Sequence, residues 1–373
     1  AQGIKYIEDF KLQNFEKNPV VICSLGDNSV TEGEVAEAFQ FAALHQLPII
    51  FLVQDNEWGI SVTKEEARTS DAYDYAAGFV GLNRMRIDGT DFVESFIQMQ
   101  KAVHFVREER KPLLVCAKTV LIGHHTSGVR REFYRDEADL AKHRAKDPGI
   151  ILKKYLLEEG FSEETLSQIE TEARKQIEED FNKAILAPDP KPETVKEHVY
   201  APTPITEEKG TRIPENGEKI PMVDAGIHAI QELMHKHPEA LLYGQDVGGR
   251  IGGVFREVVT LQQKFGNKRV FNTAIQEAYI IGSTVGMSAV GLKPIVEVQF
   301  ADYIYPGINQ LVTEVSKSCY LSNGKYPVSS IIRVPIGAYG GGGPYHSGSV
   351  ETMLAQIKGI KIAYPSNAAD FKG

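Results

Sequence analysis

Two short apolar runs rich in β-branched residues, 19–25 (PVVICSL) and 49–53 (IIFLV), constrain the fold most, because a single helix-patterned segment separates them. Each run has the length of a buried strand and is too short for a helix. Between them Val35, Ala38, Phe39, Ala42 and Ala43 recur at helical spacing, and Gln46-Leu47-Pro48 ends the pattern. Thr31 and Glu34 have the spacing of a capping box at the start of that helix. Strand, helix and strand in this order predict a right-handed βαβ unit with parallel strands.

The same alternation continues along the chain. A helix over 92–110 leads to a strand over 113–117, and residues 162–186 are charged and helical in period, as in a solvated helix. From 187 to 221 Pro, Glu, Lys and Thr replace the apolar clusters, which reads as an extended linker. A second α/β region follows, with strands expected over 240–243, 294–300 and 328–334 and helices over 225–236, 274–290 and 304–321. A chain of 373 residues is too long for one core. The expected division is a first α/β domain at 1–186, a linker at 187–221 and a second α/β domain at 222–373.

Charge and cysteine usage exclude several classes. A formal net charge of −9 and the lack of a long basic run argue against nucleic-acid binding. Cys23, Cys116 and Cys319 lie far apart without a CxxC pair, which suits buried, reduced thiols in a cytosolic or organellar compartment, the cytoplasm being the expected one, and no zinc site. The longest apolar runs, such as 47–53, are far short of a membrane span, and no signal peptide opens the chain. The start without Met, inside a helix-like segment, and the end at Gly373 just after a helix start, suggest a chain cut from a larger fold at both ends.

The chemistry concentrates at strand ends. Gly26-Asp27-Asn28 follows the first strand and Asp55-Asn56 the second, so Asp27 and Asn56 fall at the carboxyl edge of neighbouring parallel strands, where open α/β sheets bind ligands. A carboxylate, an amide oxygen and a nearby backbone carbonyl form the hard oxygen set that magnesium takes beside phosphate oxygens. In the second region Glu277 opens a helix within apolar sequence, where a carboxylate needs a partner or a proton. His346 follows the glycine run 340–343, a place from which an imidazole exchanges protons near neutral pH. Gln299 and Tyr303 lie four apart around a strand end.

Gly26-Asp27, a helix and then Asp55-Asn56 resemble the thiamine-diphosphate motif, a GDG followed some thirty residues later by NN. Asn28 stands where the motif has glycine and Asp55 where it has its first Asn, while the metal-facing Asp27 and Asn56 are retained. Asn28 is expected to keep the turn because Asn tolerates positive φ. Gly123-His124-His125-Thr126-Ser127 with 131–135 (REFYR) resembles the active-site loop of the α subunit of 2-oxo acid dehydrogenase E1. Gln276-Glu277-Ala278, 299–304 (QFADYI) and 343–347 (GPYHS) resemble the E1 β subunit. The resemblance covers nearly the whole chain and describes a fused E1 of the branched-chain (2-oxoisovalerate) or pyruvate type.

That resemblance implies two thiamine-diphosphate-binding-fold domains with parallel sheets and a site using thiamine diphosphate and Mg2+. Asp27, Asn56 and the Trp58 carbonyl would hold the metal, with Asn28 and Ser29 beside the diphosphate. Glu277 would hydrogen-bond the aminopyrimidine N1′, Tyr303 would lie against its ring and Gln299 near the substrate. His346 would stabilise the substrate carboxylate or the developing intermediate. His125 would approach the diphosphate and assist acyl transfer to a lipoyl-bearing E2 acyltransferase, and a homodimer is the expected minimum. The alternatives are a transketolase or deoxyxylulose-phosphate synthase, which share the domain order, or an inactive scaffold.

Overall fold

The computed structural model describes residues 1–203, 207, 210–211 and 215–373. The expected linker at 187–221 therefore lies partly outside the described residues. Two compact units form: residues 15–192 make the first, and residues 2–14 with 193–373 make the second.

The opening helix, α1 (Gln2–Phe10), was expected with the first domain but packs within the second unit. Ile7 is buried, Tyr6 lies 5.5 Å from Phe271, and the Tyr279 hydroxyl donates to Gln2 Oε1. Helical spacing announces that a face will be buried, not which core receives it.

In the first unit β1 (Val21–Gly26), α2 (Gly33–His45) and β2 (Ile49–Asp55) form the expected βαβ unit. The chain continues through β3 (Asn83–Asp88), α3 (Phe92–Glu109) and β4 (Leu113–Lys118). The sheet order is β1-β2-β4-β3 and every pair is parallel. Gly26 pairs with Gln54, and Asp55 and Asp88 both pair with Lys118, so the carboxyl ends are level along one edge. Ile50, Ile87, Val106 and Val115 form the core on one face, and Phe39 meets Phe51 edge-on at 4.8 Å on the other.

Three local expectations differ from what forms. The Thr31/Glu34 capping box is replaced by a 3₁₀ turn over Asn28–Thr31, in which the Thr31 hydroxyl donates to the Asn28 carbonyl at 2.9 Å. Asn28 keeps a right-handed backbone there and needs no positive φ. Strand β3 went unseen because its Arg84 and Arg86 hide the alternation; both guanidiniums stack on Tyr73, and Arg86 also pairs with Asp71. Cys116 and Cys319 are buried as expected, whereas Cys23 is exposed because β1 is an edge strand with Ile22 half open to solvent. After α4 (Glu137–Arg144), the 24-residue α5 (Glu163–Leu186) is the expected solvated helix, with Leu166 its buried residue.

The second unit contains α6 (Met222–Lys236), β5 (Ala240–Gly244), β6 (Val270–Asn272), α7 (Glu277–Ala289), β7 (Lys293–Glu297) and β8 (Ile331–Arg333). Its parallel sheet runs β8-β7-β5-β6 over a core of Met234, Leu242, Leu261, Val270 and Ile295. The helix expected over 304–321 breaks into short turns, including a π segment at Leu311–Val315. Pro306 begins a new turn. Gly307 lets that turn approach the start of α7, since a Cβ there would meet the Glu277 carbonyl oxygen at 2.8 Å. No helix among the described residues is long and apolar enough to cross a membrane.

If α1 is part of the second unit, Ile7→Ala should cost about 2–5 kcal/mol of that unit's stability. Denaturant unfolding with amide exchange across residues 2–10 reads this directly. A substitution that left both unchanged would place α1 outside the core.

Candidate active site

Level strand ends in the first unit place Asp27 beside β2: its backbone N–H donates to the Gln54 carbonyl at 3.2 Å, and its side chain is buried. The segment after β2 turns sharply. Asn56 Oδ1 accepts from the Trp58 N–H at 2.9 Å, and Trp58–Gly59 pairs antiparallel with Val62–Thr63. Glu57 (φ 70°) and Ile60 (φ 60°) take left-handed conformations, which are rare for residues of their size. Gly59 is required here: a Cβ would lie 1.9 Å from Asn28 Nδ2, so the Asn28 side chain lies directly on this turn.

A charge network supports the edge. Arg68, itself almost buried, lies 2.6 Å from Asp55 Oδ1 and 2.8 Å from Asp27 Oδ2, and Lys118 reaches Asp55 Oδ2 at 3.2 Å. Burial pushes the Asp27 carboxyl up, with Arg68 opposing and the Asp55 charge adding to the rise. Burial acts on Asp55 too, but the hydrogen bond and charge of Arg68, aided by Lys118, hold it below the usual carboxylate range. Glu57 receives Lys64 at 2.8 Å, Lys118 at 2.8 Å and Lys142 at 3.1 Å. Against the effect of burial, those three ammonium groups hold its carboxyl far below the ordinary range.

The donor set suits a hard cation. Asp27 Oδ2 and Asn28 Oδ1 are buried with no hydrogen-bond partner among the described residues, the Arg68 contact lacking hydrogen-bond geometry. Asn56 Oδ1 has used one lone pair on Trp58 and keeps another. Carboxylate, amide and carbonyl oxygens without nitrogen or sulfur match magnesium rather than zinc. Ser29 is exposed in the 3₁₀ turn beside Asn28. His125 is exposed in the loop after β4, and the neighbouring His124 ring accepts from the Arg131 N–H at 3.2 Å.

In the second unit Glu277, Gln299, Tyr303 and His346 each have a hydrogen-bond partner, and Tyr303 and His346 are bonded to each other. Glu277 opens α7 half-buried, and its Oε1 accepts from Gln245 Nε2 at 2.9 Å, the partner its position demands. Gln299, just past β7, donates to Asp246 Oδ2 at 2.5 Å. The Tyr303 hydroxyl lies 2.7 Å from His346 Nε2, and Phe300 meets that imidazole edge-on at 4.6 Å. The His346 loop is tied down where the Gly348 N–H donates to Asp302 at 2.9 Å. A cavity of about 600 Å³ opens beside it, lined by Phe255, Phe300, Ile336, Tyr339 and His346.

Sequence reasoning missed Arg68, Lys118, Glu57, Gln245 and Asp246. A Gly-Gln-Asp turn after an expected strand is the one visible signal for Gln245 and Asp246. Lys64 and Arg68 share one helical turn, four residues apart, while Lys118 and Lys142 come from the end of β4 and from α4.

Beneath this half-site, Glu297 ends β7 fully buried beside Glu257 and 2.7 Å from Arg333. Burial and the Glu257 carboxyl push Glu297 up to about 8, Arg333 only partly opposing. Its folded value lies above its ordinary 4.5, so the folded state holds the proton longer than the unfolded chain. Stability contributed by that proton is full below about pH 4.5 and is lost progressively as pH rises to about 8. Melting temperature should therefore fall across this window, and Glu297→Gln should flatten the fall. An equal slope in both proteins would reject the assignment.

Residues 9–193 match the family described as dehydrogenase E1 component, and residues 218–373 match the transketolase pyrimidine-binding domain. The 2-oxoisovalerate dehydrogenase subunit beta of Pseudomonas aeruginosa is 43% identical over 152 residues, 41% of this chain and 43% of that protein. The mitochondrial counterpart of Dictyostelium discoideum is 42% identical over 157 residues, 42% of each chain. The pyruvate dehydrogenase E1 component subunit beta of Acholeplasma laidlawii is 40% identical over 154 residues, 41% of this chain and 47% of that protein. The chain thus spans less than half the length of these curated relatives. The first part of this chain thus matches a dehydrogenase E1 family and the second a transketolase pyrimidine-binding family, both of the thiamine-diphosphate-binding kind, and a fused α-type and β-type arrangement is consistent with both domains.

Proposed function

We propose that the protein is the E1 component of a 2-oxo acid dehydrogenase complex, decarboxylating a branched-chain 2-oxo acid or pyruvate and passing the acyl group to a lipoyl-bearing E2. The carrying observation is a pair of candidate residue sets, one in each unit. One is an oxygen-only set at a sheet edge (Asp27, Asn56, the Trp58 carbonyl); the other, in the second unit, comprises a glutamate at a helix start held by Gln245 and a histidine held by Tyr303. Names of the relatives support the substrate class, two being 2-oxoisovalerate and one pyruvate dehydrogenase subunits.

Thiamine diphosphate, when bound, supplies the electron sink for loss of CO₂. Asp27, Asn56 and Trp58 would hold Mg2+ against its diphosphate, with Asn28 and Ser29 alongside. Glu277, oriented by Gln245, would share a proton with the aminopyrimidine N1′. Tyr303 and Gln299 would line the ring and the substrate, each fixed by a partner, His346 and Asp246. His346 Nε2, held by the Tyr303 hydroxyl, would act on the substrate carboxylate, and exposed His125 would meet the diphosphate and the incoming lipoyl group. The proposal includes a homodimer. The free cysteines support a reducing, cytoplasmic setting.

A ferricyanide-coupled assay with pyruvate, branched-chain 2-oxo acids and 2-oxoglutarate, with and without magnesium, tests the assignment. Magnesium-dependent turnover of one of the first two is expected. Turnover of sugar phosphates alone would favour the transketolase-like alternative, and no turnover would leave a scaffold. Glu277→Gln should lower kcat by about 10²–10⁴-fold with little change in melting temperature. Full activity in that variant would remove Glu277 from the chemistry.

A further inference from the structure

We infer that Glu57, through its three lysines, is the positioning residue that locks the strained turn presenting Asn56 and the Trp58 carbonyl. The inference rests on the proposed magnesium-diphosphate site and adds a residue to it. Left-handed φ values at Glu57 and Ile60 bracket Trp58-Gly59, and such conformations persist only where surrounding contacts over-determine them. Glu57 supplies those contacts. Its carboxylate is 15% exposed and takes Lys64 from the helical turn Lys64–Ala67, Lys118 from the end of β4 and Lys142 from α4, all within 3.1 Å. The Lys64 N–H also donates to the Glu57 carbonyl at 3.1 Å, so main chain and side chain are held from the same side. Three elements thereby converge on one residue between the two metal-facing groups. A glycine would adopt this φ without strain, so the carboxylate needs a reason beyond backbone geometry, and the lysine cage provides it.

Trp58 is the single tryptophan, so its fluorescence reports this turn with or without cofactor. Its ring lies 5.9 Å from Tyr134 and under the Arg135 guanidinium at 5.2 Å, contacts that a loosened turn would lose. The test compares the wild-type protein with Glu57→Gln, Glu57→Gly and the double variant Lys64→Met/Lys142→Met. Readouts are acrylamide quenching of Trp58, calorimetric titration of Mg2+ in the presence of thiamine diphosphate, and thermal melting. Glu57→Gln and Glu57→Gly should each raise quenching about twofold and weaken magnesium-dependent binding about tenfold, with melting nearly unchanged. The lysine variant, which spares Lys118 and its bond to Asp55, should give a smaller loss that does not add to that of Glu57→Gln. It also keeps the test decisive should Glu57→Gly fail to fold.

Wild-type quenching and affinity in Glu57→Gln would overturn the inference. So would equal or tighter binding in Glu57→Gly, which would reduce Glu57 to a backbone position. Failure of the wild-type protein to bind Mg2+ with thiamine diphosphate, while Trp58 responds as expected, would overturn the cofactor site itself. The two failures are thereby told apart.

Discussion

The ion pairs that Arg68 makes with Asp55 and Asp27 are the interaction on which the first half-site depends. Parallel pairing with level ends places two acidic side chains on adjoining strands, both nearly sealed from water. Two carboxylates buried together without a cation would expel one charge by taking up a proton. The guanidinium satisfies Asp55 with a hydrogen bond and stands against Asp27 without fully engaging it, which leaves Asp27 an oxygen for a further cation. Lys118 links this pair to Glu57, so the charged edge from β1 to β4 behaves as one network.

The second unit solves the burial of polar groups differently. Among its site side chains, Glu277 is held by the Gln245 amide and His346 by the Tyr303 hydroxyl, while Gln299 is held by the Asp246 carboxylate. Neutral donors orient a carboxylate or an imidazole without fixing its protonation as strongly as an opposite charge does. That contrast suits the division of labour proposed for the two half-sites. In that proposal a region dense in fixed charge would receive a metal and a diphosphate, and a region of mostly neutral hydrogen bonds would serve proton transfer. Glu297 is an exception among charged partners: burial, together with the Glu257 carboxyl, outweighs its ion pair with Arg333 and keeps a proton on it near neutral pH.

Much of the layout was legible in the residues. Apolar runs at strand length gave β1, β2 and β4 to within two residues, and helical spacing gave α2, α3 and α6. Strands β3 and β6 were not legible, one because paired arginines interrupt its alternation and the other because three residues carry no period. Helical pattern over 304–321 overstated its continuity, since Pro306 and Gly307 break it where the chain approaches α7. Asn28 was read as a tolerated positive-φ residue, yet the left-handed positions fall at Glu57 and Ile60.

The sequence by itself determined the order of the two α/β parts and singled out the candidate residues Asp27, Asn56, Glu277 and His346, because such motifs are contiguous and each is a local signal. Tertiary structure alone decided which core receives α1, which groups answer the candidate residues (Arg68 for Asp27, Gln245 for Glu277), and that three lysines gather on Glu57. Those partners come from separate elements, and charge or hydrogen-bond complementarity between distant segments leaves no period in the chain. It becomes definite only when parallel pairing brings the strand ends to one edge.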